Sequence, residues 1–236
     1  EELKKAQISD DLIMRKTCPS GHAIIQTIAN GENCILLYGG ANQAICKEDV
    51  DQALKQFGKG DMILLQNEIA QMDYIMHVAQ EKEMILVFNP SPMDEKLFSY
   101  PLAYVDYFVV NEEEGRMLCE GKGVGLASHD GAALLGGLIQ VFPQKRIILT
   151  LGAKGSYYSD GTVIHIQPAY EVEAVDTTAA GDTFTGYLFG SLFKGETVQR
   201  AMDLAARASA IACGRKGAGP SIPTWDEVQK WNGQAK

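Results

Sequence analysis

The sequence predicts an α/β protein with a mostly parallel sheet and helices on both faces of that sheet. Short apolar runs typical of buried strands alternate along the chain with longer segments whose apolar residues recur with helical spacing. Strands that alternate with helices favour parallel pairing, because each parallel connection crosses over the sheet. Ligands of such sheets gather at the carboxyl ends of the strands.

Two dipeptides predict tight hairpin turns between neighbouring strands. Asn30-Gly31 and Asp160-Gly161 each separate two apolar runs, and both pairs favour the left-handed backbone that such turns require. The predicted strands lie at 22–28, 34–38, 62–65, 84–88, 105–110, 146–151, 157–158 and 163–166. The predicted helices lie at 47–57, 72–81, 112–119, 131–141, 183–193, 197–213 and 224–231.

The composition indicates one large domain, with or without a small appendage, and narrows the classes of partner. The chain has 236 residues, of which 46% are hydrophobic, and a formal net charge of −9. This negative charge argues against nucleic acid and anionic membranes as partners. Apolar runs stay short of the roughly 20 residues that span a bilayer. The five cysteines form no C-x-x-C pair, so neither a zinc site nor a disulfide framework is favoured, and a reducing cytoplasm is the expected location.

The segment 175–186, VDTTAAGDTFTG, is the most informative part of the chain. Small residues at 179–181 leave backbone N–H groups bare at a predicted helix N-terminus, where anions bind readily. Asp182 lies in the same turn, where an acid is a poor choice for binding phosphate alone. It fits a base that accepts a proton while the amides hold developing negative charge. The structural alternative is an ordinary acidic residue that caps a helix.

The whole string closely resembles the C-terminal signature of the ribokinase-like (PfkB) sugar kinases. The resemblance implies an ATP-dependent kinase with a ribokinase-like fold. It implies that Asp182 contacts the sugar and deprotonates its hydroxyl. The backbone at Ala179, Ala180 and Gly181 would then stabilise the transferring phosphoryl group.

Polar turns after two further predicted strands match the same family in order and approximate spacing. Asn111 and Glu114 resemble its N-x-x-E motif, which implies a role in handling magnesium and phosphate. Thr150, Gly152 and Gly155 resemble its T-L-G-x-x-G turn, which borders the nucleotide. Each turn taken alone also reads as structural: a helix cap in the first case and a loop in the second.

The front of the chain carries weaker matches to the family. Ser20-Gly21 resembles a T-G stretch and 39–42 resembles a G-A-N stretch. Glu68 follows a predicted strand at a place where ribokinases direct a carboxylate toward the sugar. From about residue 11 to 236, the order of motifs follows the ribokinase branch most closely.

The loop 213–221 resembles the part of ribokinases that contributes to a monovalent cation site. The resemblance implies a potassium ion surrounded by oxygens, which hard cations prefer. The alternative is a Gly/Pro-rich loop in which Gly214 ends the preceding helix. The implied ligands are Asp176, Thr178, Ala212, Gly217 and Ser221.

Two features depart from the family pattern. Ala206 stands where ribokinases often carry an Asn near the adenine. The family's first strand, most of its lid and its lysine-containing sugar loop have no counterpart in the sequence. We therefore expect a single, N-terminally incomplete kinase domain over 1–236, with a lid remnant at about 11–20. A strand–helix–strand unit takes about 30 residues, so roughly 60–80 residues precede Glu1 on this expectation.

These inferences together predict an ATP-dependent kinase that phosphorylates a hydroxymethyl group of a sugar, with ribose or a related sugar as first choice. Magnesium and potassium are the expected cofactors, and a homodimer is compatible with the resemblance. Alternative acceptors are fructose, a keto-deoxy sugar acid, a sugar phosphate or a nucleoside. A non-catalytic nucleotide-binding regulator of the same fold is the alternative from another class. A dinucleotide-dependent dehydrogenase is disfavoured, because no G-x-G-x-x-G opens the first helix.

Overall fold

The computed structural model describes residues 2–27, 33–128 and 130–235. The chain divides into two compact units, Glu1–Asp106 and Tyr107–Lys236. The expectation of one kinase domain over 1–236, with a lid remnant at 11–20, stays a prediction.

The first unit combines an antiparallel strand pair with a parallel one. In the antiparallel pair, His22 lies opposite Tyr38, and the register runs without a break to Thr27 and Asn33. The predicted turn at Asn30-Gly31 lies outside the described residues. The strands of this unit are β1 (His22–Thr27), β2 (Asn33–Tyr38), β3 (Met62–Gln66) and β4 (Ile85–Asn89). Its helices are α1 (Glu2–Lys5), α2 (Lys47–Leu54) and α3 (Met72–Glu81).

The core of the first unit forms between β4 and the apolar face of α3. Strands β3 and β4 pair in parallel, with Leu65 beside Phe88. Leu86, Val87 and Phe88 in β4 are almost fully buried, as expected of a parallel strand that is covered on both faces. Met76 of α3 is buried as well. The continuous apolar run of β4 is therefore explained by its position in the unit.

The second unit contains a mixed four-stranded sheet. Strands β5 and β6 pair in parallel, and β7 and β8 continue the sheet in antiparallel fashion. The predicted hairpin at Asp160-Gly161 is confirmed, because the Asp160 carboxylate accepts from the N–H groups of Thr162 and Val163 and Gly161 has a φ of 89°. These strands are β5 (Tyr107–Asn111), β6 (Arg146–Thr150), β7 (Ser156–Ser159) and β8 (Ile164–Gln167).

Helices cover both faces of this sheet, as the sequence predicts. Tyr107 and Phe108 are consecutive in β5, so their side chains point to opposite faces. The Tyr107 ring meets Phe189 edge-on at a centroid distance of 5.3 Å. The Phe108 ring stacks on Phe142 at 4.0 Å. Phe189 belongs to α6, whereas Phe142 caps the C-terminus of α5. The helices of this unit are α4 (Glu112–Gly121), α5 (Gly131–Val141), α6 (Ala180–Phe193), α7 (Val198–Cys213) and α8 (Trp225–Lys230).

The N-terminus of α6 lies earlier than the sequence indicates. The predicted start at 183 is wrong, since the helix begins at Ala180 with Ala179 as its N-cap residue. Small residues such as those at 179–181 gave a turn signal, but the backbone bond from the Thr183 N–H to the carbonyl oxygen of Ala179 carries the helix through them. Asp182 consequently occupies the third helical position, within the first turn of α6. Among the described residues, no helix is long and apolar enough to cross a membrane.

Candidate active site

A cavity of about 760 Å³ lies in the second unit at the carboxyl ends of β5 and β6. Its wall combines the turns that follow these two strands with the first turn of α6. An apolar side is formed by α7, which presents Ala206 and Ala210, and by Val172 and Phe184. The volume falls in the range of pockets that enclose a drug-sized or cofactor-sized ligand.

The register of the sheet brings two predicted nucleotide residues side by side. Asn111 ends β5 and pairs with Thr150, which ends β6. Both residues line the cavity. The Thr150 hydroxyl donates a hydrogen bond of 3.3 Å to the carbonyl oxygen of Val110, which fixes its orientation at the strand end. Parallel strands therefore place two separate motifs of the sequence at one edge.

Asn111 and Glu114 form a reciprocal capping box at the start of α4. The Asn111 side-chain oxygen accepts from the Glu114 N–H at 2.9 Å, and the Glu114 carboxylate accepts from the Asn111 N–H at 2.9 Å. Glu114 is only 8% exposed. The pair therefore has the structural role that the sequence left open. Asn111 lines the cavity, whereas Glu114 does not.

Two carboxylates that sequence reasoning missed lie closer to the cavity. Glu112 and Glu113 both line it. Glu112 accepts from Arg116 at 2.6 Å and from Lys154 at 3.4 Å. These two cations, Arg116 foremost, lower the pKa of the Glu112 carboxyl below its usual value. The ion pair with Lys154 links the turn after β6 to the first turn of α4. The position of both residues between Asn111 and Glu114 was the available signal.

The turn after β6 depends on two glycines with left-handed backbone. Gly152 has a φ of 55° and faces open space. Gly155 has a φ of 95°, and a Cβ atom there would lie 2.2 Å from the carbonyl oxygen of Gln167. Only glycine fits at 155, because β8 passes directly beside the backbone. Both glycines line the cavity, as the sequence predicts for a turn that borders a ligand.

The first turn of α6 presents an open backbone donor to the cavity. Ala179 adopts a left-handed conformation with a φ of 59°, and it provides no side-chain cap. The Ala180 N–H is bonded to the carbonyl oxygen of Thr177 at 3.2 Å. The Gly181 N–H donates to no residue in the described part of the chain. Ala180 and Gly181 line the cavity, and the exposed Asp182 follows them outside its wall.

The Asp176 carboxylate joins the loop before α6 to the loop after α7. One oxygen accepts from the Thr178 N–H at 2.9 Å, and the other accepts from the Gly217 N–H at 3.0 Å. Hydrogen bonds from Thr178 and from the Gly217 backbone lower the pKa of Asp176 to about 2. The carbonyl oxygen of Cys213 also accepts hydrogen bonds from the N–H groups of Val175 and Asp176.

The residues predicted to bind a monovalent cation thus lie on the loop before α6, at the end of α7 and on the loop after it, which hydrogen bonds hold together. Asp176, Thr178 and Gly217 meet directly, and Ala212 immediately precedes the Cys213 contact. Ser221 is fully buried, and its hydroxyl donates to a neighbouring carbonyl oxygen. A carboxylate with several backbone oxygens is a suitable donor set for a hard monovalent cation. Within the described ranges, no group of three or more His, Cys, Asp or Glu side chains is arranged to hold a metal.

Glu68, the predicted sugar ligand, lies in the first unit just after β3. It is exposed, and its carbonyl oxygen accepts from the Gln43 side chain at 2.9 Å. The neighbouring Asn67 is fixed by its side chain, which donates to the carbonyl oxygen of Pro92 and accepts from the Tyr100 hydroxyl. The backbone that carries Glu68 is therefore anchored on two sides.

Two motif stretches of the first unit pack against each other. Gly40 has a φ of 47°, and a Cβ atom there would lie 2.4 Å from the carbonyl oxygen of Pro19. The Ala41 N–H donates to that same oxygen at 2.9 Å. Ser20-Gly21, with the preceding Pro19, and the stretch 39–42, predicted separately from the sequence, thus form one contact.

Comparison with known proteins identifies the family. Residues 1–225 match the family described as pfkB family carbohydrate kinase. The chain belongs to the pfkB family of carbohydrate kinases. It is therefore an enzyme of the sugar kinase class. The predicted α/β fold with a mostly parallel, helix-covered sheet and the resemblance to ribokinase-like kinases are both confirmed.

Individual pfkB relatives are similar to this protein over most of its length. The ribokinase of Staphylococcus aureus (strain COL) is 31% identical over 98% of this chain and 76% of its own length. A deoxyribokinase of Salmonella typhimurium is 31% identical over 90% of this chain and 69% of its own. The crystal structure of a ribokinase from Cryptococcus neoformans in complex with ADP superimposes with a TM-score of 0.84 at 30% identity. It covers 97% of this chain and 76% of that one.

The two glycines of the turn after β6 are required for different reasons, and alanine substitutions can distinguish these reasons. Gly155→Ala places a methyl group against the backbone of β8, so we expect a loss of more than about 2 kcal/mol in the free energy of unfolding. Gly152→Ala is the matched control, because its Cβ meets open space and only the left-handed backbone is strained, at about 1 kcal/mol. Urea unfolding of both variants measures this difference, and equal losses would contradict the contact with Gln167.

Proposed function

We propose that this pfkB kinase transfers the terminal phosphoryl group of ATP to a hydroxymethyl group of a sugar, with ribose as the acceptor. The observation that carries the proposal is the first turn of α6. There, Gly181, whose N–H is open, lines a cavity of nucleotide size, and Asp182 is the next residue in the chain. The ribokinase and deoxyribokinase relatives at about 31% identity support ribose, with 2-deoxyribose as the second candidate.

Asp182 acts in this proposal as the general base. It follows the cavity-lining residues but lies outside the cavity wall, which suits a group that acts on the acceptor and not on the nucleotide. Its exposed carboxylate accepts the proton of the sugar hydroxyl as the hydroxyl oxygen bonds to the γ-phosphorus of ATP. The bond from that phosphorus to the β,γ-bridging oxygen breaks, and ADP leaves. The backbone at Ala179, Ala180 and Gly181 holds the negative charge of the transferring group, aided by the positive end of the α6 dipole.

The nucleotide occupies the cavity of the second unit in this proposal. Thr150, Gly152 and Gly155 border it, and the open backbone of the glycine turn allows close approach. Ala206 presents only a methyl group to the wall, so polar contacts with a base at this point come from other residues. Glu68 orients the sugar, as the resemblance to ribokinases implies.

Magnesium and potassium complete the proposal as cofactors. Asn111 and Glu114 hold magnesium, directly or through water, near the phosphates at the edge of the cavity. Magnesium keeps several waters and needs few protein ligands, so the absence of a carboxylate cluster in the described residues agrees with this chemistry. The oxygens of Asp176, Thr178, Ala212, Gly217 and Ser221 would hold potassium, which would supply positive charge that orders the loop leading into α6.

The acceptor and the base are tested together by a turnover assay of the complete protein. ADP release is measured with ATP and a panel of ribose, 2-deoxyribose, fructose, a keto-deoxy sugar acid, a sugar phosphate and a nucleoside. We expect the highest kcat/KM with ribose. Asp182→Asn lowers kcat about 10²–10⁴-fold, because a positioned base is lost, and leaves nucleotide affinity nearly unchanged.

Asp73→Asn is the matched control for Asp182→Asn. Asp73 is also an exposed acid in the first turn of a helix, so its loss removes the same interaction with a helix dipole but no base. Its turnover should equal that of the wild type. If Asp182→Asn keeps turnover within a few-fold of the wild type, Asp182 is not the base. If no acceptor is phosphorylated, the proposed activity itself is wrong.

Magnesium dependence separates the capping role of Glu114 from a role in metal binding. Glu114→Gln keeps an acceptor for the Asn111 N–H, so α4 stays capped, but the charge that attracts a cation is lost. We expect a several-fold higher magnesium concentration at half-maximal rate and an unchanged KM for the sugar. Glu113→Gln is the control, because Glu113 is the neighbouring carboxylate in the sequence and, unlike Glu114, lines the cavity. A magnesium titration shifted by Glu113→Gln alone would assign the metal to Glu113.

Exchange of sodium for potassium tests the cation site. We expect the complete protein to turn over faster in potassium, because a cation between the two loops orders the backbone that precedes α6. Asp176→Ala removes both the carboxylate and its bonds to Thr178 and Gly217, so the rate of this variant becomes insensitive to the exchange. Equal wild-type rates in the two salts would remove the cation from the proposal.

A further inference from the structure

The polar edge of the cavity continues onto a third strand. Ser156 is the first residue of β7 and lies directly opposite Thr150 in the antiparallel register with β6. Thr150 in turn pairs with Asn111 of β5. Residues directly opposite each other in a sheet direct their side chains to the same face. Asn111, Thr150 and Ser156 therefore form one row across three strands, and all three line the cavity.

Ser156 differs from the other two members of this row in its hydrogen bonding. The Asn111 side chain accepts from the Glu114 N–H, and the Thr150 hydroxyl donates to the Val110 carbonyl oxygen. The Ser156 residue is only 2% exposed, and its hydroxyl has no hydrogen-bond partner among the described residues. A buried hydroxyl without a partner lowers stability, and native proteins retain few of them.

Its location distinguishes Ser156 from the two other buried hydroxyls that have no hydrogen-bond partner in the described part of the chain. Thr183 and Ser191 are also buried without a partner, but both belong to α6 and neither lines the cavity. Ser156 alone of these three combines an unused donor and acceptor with a place in the wall of a ligand-sized space. The adjacent Gly155 fixes the backbone on its N-terminal side, because β8 leaves no room for a side chain there.

We propose that the Ser156 hydroxyl hydrogen-bonds the nucleoside di- or triphosphate bound in this cavity. The inference rests on the proposed function, which places the nucleotide there. It adds a contact residue beyond the T-L-G-x-x-G turn, which ends at Gly155. The bound nucleotide supplies the missing partner of the hydroxyl, so the energetic penalty of the unpaired group is relieved on binding.

Binding of ADP to the complete protein, measured by titration calorimetry, tests the contact without any need for turnover. Ser156→Ala removes the hydroxyl, and we expect ADP to bind about 3- to 10-fold more weakly, which is the effect of one neutral hydrogen bond. Ser191→Ala removes an equally buried and unpaired hydroxyl outside the cavity, so its ADP affinity should equal that of the wild type. Unfolding without ligand should occur at nearly the same temperature in both variants.

The outcomes separate this inference from the proposed function. If the wild type does not bind ADP, the proposed function fails. If the wild type binds ADP and Ser156→Ala binds it equally well, or if Ser191→Ala loses as much affinity, only the role of Ser156 is overturned. Ser156→Cys keeps the size of the side chain with a weaker donor, and it serves if the alanine variant does not fold. If Ser156→Cys binds ADP more weakly than the wild type, the contact is supported. If it binds ADP as tightly as the wild type, the contact is contradicted.

Discussion

The parallel pairing of β5 with β6 is the constraint on which the second unit depends. It fixes Asn111 beside Thr150. The turns that follow β5 and β6, which α4 and α5 separate along the chain, therefore begin side by side at the same edge of the sheet. The antiparallel addition of β7 extends that edge to Ser156. A shift of one residue in either pairing would turn these side chains to the opposite face of the sheet and dissolve the polar edge of the cavity.

Charge and backbone hydrogen bonds then join this edge to the helices. Glu112 connects the turn after β6 to α4 through Lys154, while the capping box at Asn111 sets where α4 begins. On the other side of the cavity, Asp176 connects the loop before α6 to the loop after α7. The loop that leads into the first turn of α6 is therefore anchored by a hydrogen bond between Asp176 and Gly217, which lie far apart in the sequence. In the proposed site, such support keeps the backbone donors of α6 in place.

Much of the fold followed from local patterns, because a strand or helix here buries a face that its own spacing reveals. Asp160-Gly161 predicted its hairpin, and the apolar run at 84–88 marked the buried β4. The start of α6 was misjudged, because Ala179–Gly181 read equally well as turn or helix in the sequence. Ser156 gave no signal of its own, and Glu112 was marked only by its position between Asn111 and Glu114. Their places at the cavity come from register and tertiary contact, which one sequence does not encode locally.

In the proposed function, the left-handed backbone of Ala179 has a consequence for the thermodynamics of ligand binding. A residue with a Cβ atom is strained at a φ of 59°, and glycine would adopt the same angle without that strain. Glycine would also sample many other backbone angles. The backbone N–H groups at the start of α6 would then lose conformational entropy each time an anion bound. With alanine, the loss of conformational entropy at this position occurs largely during folding and less during binding. The first turn of α6 thus trades stability of the apo protein for readiness of its donors.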